Sequence, residues 1–409
     1  MADSAPTLGL KTEAAMVGRT SPVDHPAVIA ACVGLAIAGF ATFMGMPMMV
    51  GAAIDHYGYS EGEGGYVAAA EYLGMFTASA LVSLLILRVS RRTLAFTGIL
   101  TAILSNAAST AISALPFLLA IRFASGLGCG TTYAVAVAVL AGSRRTVRNF
   151  MFLIFGQVLT NAVVVYTFPS ILSRWHLAGI FVAYCAILAA ASLCVPCLPR
   201  RFAPAQNALT DARSPHFSLP RFIPWLCLFA VFCFYLMIGA YWAYIERIGV
   251  TAGFDEELVA KAIAAGILLS LLACLMAYRL SQRFGQSKPL LLALGAVAAT
   301  LVVNGVSFGP AAFVIGLGVV NCLWNFTDIY QLGMIANIDH TGVFASRIQG
   351  AQMLAMTISP AIAGTLLDHH LGYDHLLILL GAYVATAFAA YSVVYGVLRR
   401  HAPTLADAK

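Results

Sequence analysis

Apolar runs of membrane-crossing length follow one another along almost the whole chain, and this pattern excludes most folds otherwise open to it. They lie near 28–50, 66–87, 94–113, 117–141, 150–171, 177–198, 222–244, 260–280, 289–307, 311–336, 347–367 and 375–397. A hydrocarbon core of about 30 Å needs roughly 20 such residues per helix. The runs therefore read as twelve transmembrane helices, with little chain left over. Composition agrees: 61% of residues are hydrophobic and 10% charged, against about 25% charged in soluble domains. Barrel strands would be about ten residues long with alternating polarity, which these runs do not have. The expected fold class is an all-α integral membrane protein.

Lys and Arg gather on one side of the predicted bundle. Arg88, Arg91, Arg92, Arg144, Arg145, Arg148, Arg279, Arg283, Lys288 and Arg347 fall in or beside loops of that side, against Arg174, Arg247 and Lys261 on the other. Such a bias marks the cytoplasmic face. Both termini are thus expected in the cytoplasm, with the protein multi-pass in the cytoplasmic (inner) membrane. The net charge of +6 needs no nucleic-acid partner. Residues 1–27 lack a signal-peptide layout and read as a disordered cytoplasmic tail, and 398–409 read as a second cytoplasmic tail. The stretch 199–221 holds the longest polar interruption between runs, rich in proline. It divides the chain into six-helix halves, 28–198 and 222–397. No loop is long enough for a catalytic domain, so no enzyme is expected.

"LRVSRR" (87–92) and "SQRFGQSK" (281–288) occupy equivalent loops in the two halves, and "RFASGLGCG" (122–130) opens the fourth span. In this the chain resembles the major facilitator superfamily (MFS). That family carries a Gly-x-x-x-Asp-Arg-x-Gly-Arg-Lys loop and an intramembrane Arg-x-x-x-Gly-x-Gly signature. Arg88, Arg91 and Arg92 fit the loop, while Ser83, Leu87 and Ser90 replace Gly, Asp and Gly. Arg283, Gly285 and Lys288 fit in the second half, with Gln282 at the acid. Arg122, Gly126, Gly128 and Gly130 carry the intramembrane signature. The resemblance implies a secondary transporter with its site near the midplane, gated at these loops, and a role for Arg122 in proton transfer or gating.

A charge at the bilayer centre costs roughly 2.5–3.5 kcal/mol on insertion scales, so intramembrane polar residues are read as facing protein or water. Glu71 shares a helical face with Ala68, Gly74, Met75 and Ala78. It is expected inside the bundle, either as a group whose charge changes during transport or as a structural partner. Asn321, Asn325, Asp328 and Gln331 form one stripe bordered by Trp324. This is the expected substrate-facing wall, with Asp328 a second proton site. Gln157 and Asn161, and Gln349 and Gln352, add amides from the fifth and eleventh spans. Tyr241, Trp242 and Tyr244 read as a membrane-interface belt.

The loops "DHYGY" (55–59) and "DHHLGYDH" (368–375), and "CVPC" (194–197), contain metal-binding residue types. They read as loop-end solvation and packing, with no metal or cofactor expected. No Gly-x-x-x-x-Gly-Lys-Ser/Thr run is present, which argues against ATP drive. The expected function is a proton-coupled symporter moving a small organic solute by alternating access, working as a monomer with proton and lipid bilayer as its other partners. Uptake is favoured because "GQVLTNAVVVYTFP" (156–169) lacks the Gly-Pro pair of the family's antiporters. "SPAIAG" (359–364) partly echoes that pair, so the alternative is a drug or metabolite efflux antiporter. A transporter-like solute receptor is the more distant alternative.

Overall fold

The structure is a computed structural model of the 409-residue chain and describes residues 25–86, 88–143, 146–199, 220–338 and 343–403. The expectations for residues 1–24, the linker 200–219 and the end of the chain lie outside the described residues. The first half contains α1 (Pro26–Gly39), α2 (Ala41–Met44), α3 (Met46–Tyr57), α4 (Glu61–Leu85), α5 (Arg91–Ser109), α6 (Leu115–Ala141) and α7 (Thr146–Ser192). The second contains α8 (Ile223–Thr251), α9 (Glu256–Phe284), α10 (Ser287–Val306), α11 (Pro310–Ile338), α12 (Val343–Asp368) and α13 (Tyr373–His401). No strand occurs among the described residues.

Helix starts follow the sequence chemistry. Ser60 and Glu63 build a capping box on α4, and Ser90 and Asp255 accept from backbone N–H groups at the starts of α5 and α9. Pro116 and Pro224 occupy first-turn positions of α6 and α8, where a missing N–H does no harm.

Among the described residues, nine helices are long and apolar enough to cross a membrane. The two columns outside these nine, the first and the third, differ in form, and one of the nine, α7, spans two columns. The first, read as one run, is broken at Phe40 and Gly45 into α1–α3. A side chain at Gly45 would collide with Phe168 and Tyr184 of α7. The third, α5, is made more polar by Arg92 and Asn106. The fifth and sixth are joined in α7, whose helix is interrupted at His176 (φ 54°, ψ −160°). His176 Nδ1 there lies 3.2 Å from His56 Nε2.

Within the first half α6 is central, packed against α1, α4 and α5. In the second half α8 packs on α12 and α13, and α9 on α11. The halves meet through α4 against α12, α7 against α9, and α3 against α8. The outward surface is apolar: Leu84, Phe117, Leu292 and Val306 are each more than two-thirds exposed, which suits a lipid solvent. Tyr241, Trp242 and Tyr244 correct the belt expectation, because all three are buried. Trp242 Nε1 donates to the Phe43 carbonyl (2.9 Å) and the Tyr244 hydroxyl to the Glu61 carbonyl (2.5 Å). Helix α8 is the most buried of the spanning helices, so its outer end meets protein where a peripheral helix would meet lipid headgroups.

Candidate functional site

Where the two halves meet, α4, α6 and α7 face α8, α9, α11 and α12 across a cavity of about 560 Å³, within the usual range for small-molecule sites. Its lining reaches Ser83, Ile86, Phe150 and Leu332, near helix ends on the basic side. An aromatic ladder forms part of the cavity wall. Phe40 stacks on Phe43 (centroids 4.3 Å) and lies 5.3 Å from Tyr133, while Phe43 meets Trp324 edge-on at 6.3 Å.

The polar stripe of α11 lies largely on this cavity. Asn321, Trp324, Asn325 and Asp328 line it, opposite Gln157 and Asn161 of α7, and Gln349 and Gln352 of α12 complete the wall. Asp328 Oδ1 accepts from Gln352 Nε2 (3.0 Å), and the Tyr235 hydroxyl faces the same carboxylate. Asn325 Nδ2 donates to Ser270 Oγ (3.1 Å), and Asn321 Nδ2 to the Leu317 carbonyl (3.0 Å). Gln331 is not on the cavity: it is fully buried and its amide nitrogen and oxygen have no partner.

Glu71 and Arg122 also lie off the cavity, in a closed cluster at 0% exposure. Arg122 Nη2 is 2.6 Å from Glu71 Oε2, and its Nε donates to the same oxygen (2.8 Å). The remaining donors reach Asn106 Oδ1 (3.0 Å), Ser109 Oγ (3.2 Å) and Ser125 Oγ (2.7 Å). Ser125 in turn donates to Glu71 Oε1 (3.1 Å), and the Phe181 ring lies 5.1 Å from the guanidinium carbon. Glycines make this proximity possible. A side chain at Gly126 would strike the Glu71 carbonyl, one at Gly74 would strike Phe123 and Leu127, and one at Gly130 would meet Met75 and Ala78. Small residues let helix backbones approach closely in lipid. Gly128 plays the same part against Gly98 and Ala102 of α5. Gly126→Leu is therefore expected to abolish the monodisperse peak in size-exclusion chromatography. Gly318→Ala, where an added Cβ meets nothing within 4 Å, should leave that peak intact.

The loop residues expected to gate are placed on the basic side. Arg92 Nε donates to the Leu198 carbonyl (2.6 Å), tying the start of α5 to the end of the first half. Arg91 is buried and Arg88 exposed. In the second half Arg283 is exposed, its guanidinium carbon 5.3 Å from the Phe284 ring. Gly285 ends α9 at φ 72°, a left-handed angle that favours glycine. Beside it Gln286 Oε1 accepts from Asn337 Nδ2 of α11 (3.1 Å).

On the opposite side the halves are stitched together. Arg247 Nη1 donates to both oxygens of Asp55 (2.9 Å each), and its Nε lies 3.6 Å from Glu61 Oε1. Asp368, at the end of α12, accepts from Ser60 Oγ and from the Gly62 backbone N–H (3.0 Å each). It thereby caps α4 from the other half. Gly65 and Gly364 sit where α4 and α12 cross, against the Pro360 carbonyl and Gly62.

Sequence reasoning did not pick out Asn106, Ser109, Ser125, Tyr235 or Asp368 for these places. Asn106 alone gave a signal, as an amide in an apolar run. Asp55 of "DHYGY" and Asp368 of "DHHLGYDH" are engaged as described, and no group of metal-ligating residues converges among the described residues.

The fold and this central cavity can be set beside known proteins. The chain is similar in structure to a D-xylose–proton symporter (TM-score 0.69, 14% identity, covering 90% of this chain and 96% of that one). It is likewise similar to the nucleoside transporter NupG (TM-score 0.68, 12% identity, covering 90% and 98%). No curated protein matches it in sequence. The sequence profile of the Major Facilitator Superfamily matches residues 31–337. The chain is therefore a multi-pass membrane transporter protein of the Major Facilitator Superfamily.

Proposed function

We propose that this protein is a proton-coupled secondary transporter that takes up a small organic solute by alternating access. The carrying observation is that the cavity between the halves holds one carboxylate among its described lining residues, Asp328, shared with Gln352 and Tyr235. A membrane-embedded acid facing a solute cavity is a natural proton site. Solute would lie between the α7 amides Gln157 and Asn161 and the α11–α12 wall, on Trp324. With the basic side taken as cytoplasmic, the cavity opens inward and the seam of Asp55, Arg247 and Asp368 closes the outside. The Glu71–Arg122 cluster fits best as a brace within the first half, because neither residue reaches the cavity. The xylose–proton symporter and the nucleoside transporter with this fold support a neutral solute and a proton as first probes.

Proteoliposomes supply the test, with labelled D-xylose, uridine and indole-3-acetamide offered with and without an inward proton gradient. At least one is expected to accumulate above its equilibrium level only with the gradient. Asp328→Asn should abolish that accumulation while retaining solute exchange at equal pH. Absence of gradient-driven accumulation for all three would defeat the reading, and accumulation under the reversed gradient would place the protein with the efflux antiporters.

A further inference from the structure

We infer that the cavity selects an uncharged solute with a flat aromatic body and an amide-like hydrogen-bonding group, and rejects organic anions. This deepens the transporter reading and rests on it only for Asp328's role as the proton site. Three features of the wall lead there.

The first is charge. No Lys, Arg or His lines the cavity among the described residues, and its one acid is Asp328. An anion entering would give up its hydration with no cation to replace it and with a carboxylate nearby, which is costly. A cation could pair with Asp328, but that carboxylate already has the Gln352 amide at 3.0 Å and the Tyr235 hydroxyl beside it. If it also takes the transported proton, a bound cation and the proton exclude each other, so co-transport calls for a neutral solute.

The second feature is shape. The ladder Tyr133–Phe40–Phe43–Trp324 draws on the break between α1 and α2, on α2 itself, and on α6 and α11, so both halves contribute to it. Aromatic faces and edges on the cavity wall favour an aromatic ring over a polyol.

The third is unfilled hydrogen bonding. Asn161 Oδ1 is withdrawn from water and has no partner, and Gln157 Nε2, one turn away on α7, is equally withdrawn with only the Tyr133 hydroxyl beside it. A buried donor or acceptor left unmade costs about 1–3 kcal/mol. Rotation of either amide toward the cavity would let a solute carrying both a donor and an acceptor relieve that penalty. A solute with only an apolar body would leave it in place.

Three near-isosteric probes separate these features: indole-3-acetamide (neutral), indole-3-acetate (anion) and tryptamine (cation), with cyclohexylacetamide as the non-aromatic control. Binding to the purified full-length protein at pH 7 is read by isothermal titration or ligand-observed NMR. Indole-3-acetamide is expected to bind at least tenfold tighter than the acetate and the control, and severalfold tighter than tryptamine. Trp324→Ala should weaken it about tenfold, while Trp324→Phe stays within threefold. Gln157→Leu with Asn161→Leu should erase its advantage over 3-ethylindole, which lacks the amide. Tighter binding of tryptamine or of the acetate would overturn the charge assignment. Equal binding of cyclohexylacetamide, or no binding of any probe, would overturn the aromatic one. Because this readout is equilibrium binding, it can fail while gradient-driven flux of another solute succeeds, and the reverse.

Discussion

Arg122→Met is expected to destabilise the purified protein by about 3–5 kcal/mol, the usual cost of stripping one partner from a buried ion pair. The change removes the pair to Glu71 and leaves the side chains of Asn106, Ser109 and Ser125 without their shared donor. Glu71→Gln should cost nearly as much, because the guanidinium then stays buried without a counter-charge. The double variant Glu71→Gln, Arg122→Met should recover more than half of the loss, since the uncompensated charge disappears. Chemical unfolding in detergent measures all three. The same variants separate a brace from a proton carrier. With both residues at 0% exposure and away from the cavity, the folded fraction of Glu71→Gln should transport with an unchanged shape of its pH profile. A flattened profile would mean that α4 shifts far enough in the cycle to open the pair, and would make Glu71 a proton site alongside Asp328.

The contrast between Glu71 and Asp328 also marks the limit of what the sequence could tell. Helix columns were legible because lipid allows few alternatives to continuous apolar helices. That both acids face inward was legible from the cost of the opposite. Which interior each faces was not, because the partners of Glu71, Arg122 and Ser125, come from α6, 51 and 54 residues away in sequence. On α11 the 3.6-residue period placed Asn321, Asn325 and Asp328 together. Gln331, ten residues beyond Asn321, has rotated roughly 80° from it at about 100° per residue, far enough to leave the wall. Tyr244 and Trp242 were misplaced for a related reason. The interface rule treats every helix end as a lipid contact, and only tertiary packing reveals that α8 lies inside. The capping of α4 by Asp368 joins residues about 306 positions apart, and local pattern carries no trace of such a bond.

That bond carries the second large expectation, a shift in which side of the protein stands open. Helices α3 and α4 are held to α8 and α12 by Arg247 on Asp55 and by Asp368 on Ser60 and Gly62. Arg247 and Asp55 are partly exposed, so their pair contributes on the order of 1 kcal/mol. The two hydrogen bonds to the Asp368 carboxylate add about 1.5–3 kcal/mol if they form only in this state. Losing both sets would change the ratio of the two conformations roughly 50- to 1,000-fold, at 1.4 kcal/mol per tenfold. Under the alternating-access reading, Arg247→Ala with Asp368→Ala is therefore expected to shift the protein toward the conformation open on this side. Spin labels at Ser173 and Ser307, exposed on that side of the two halves, should report a longer distance in the double variant, in a background freed of native cysteines. Each single variant should lie between it and the parent. An unchanged distance distribution would mean that the backbone crossing at Gly65 and Gly364 closes this side by itself. The discriminating variant is then Gly364→Val, which wedges that crossing apart and leaves the polar ties in place.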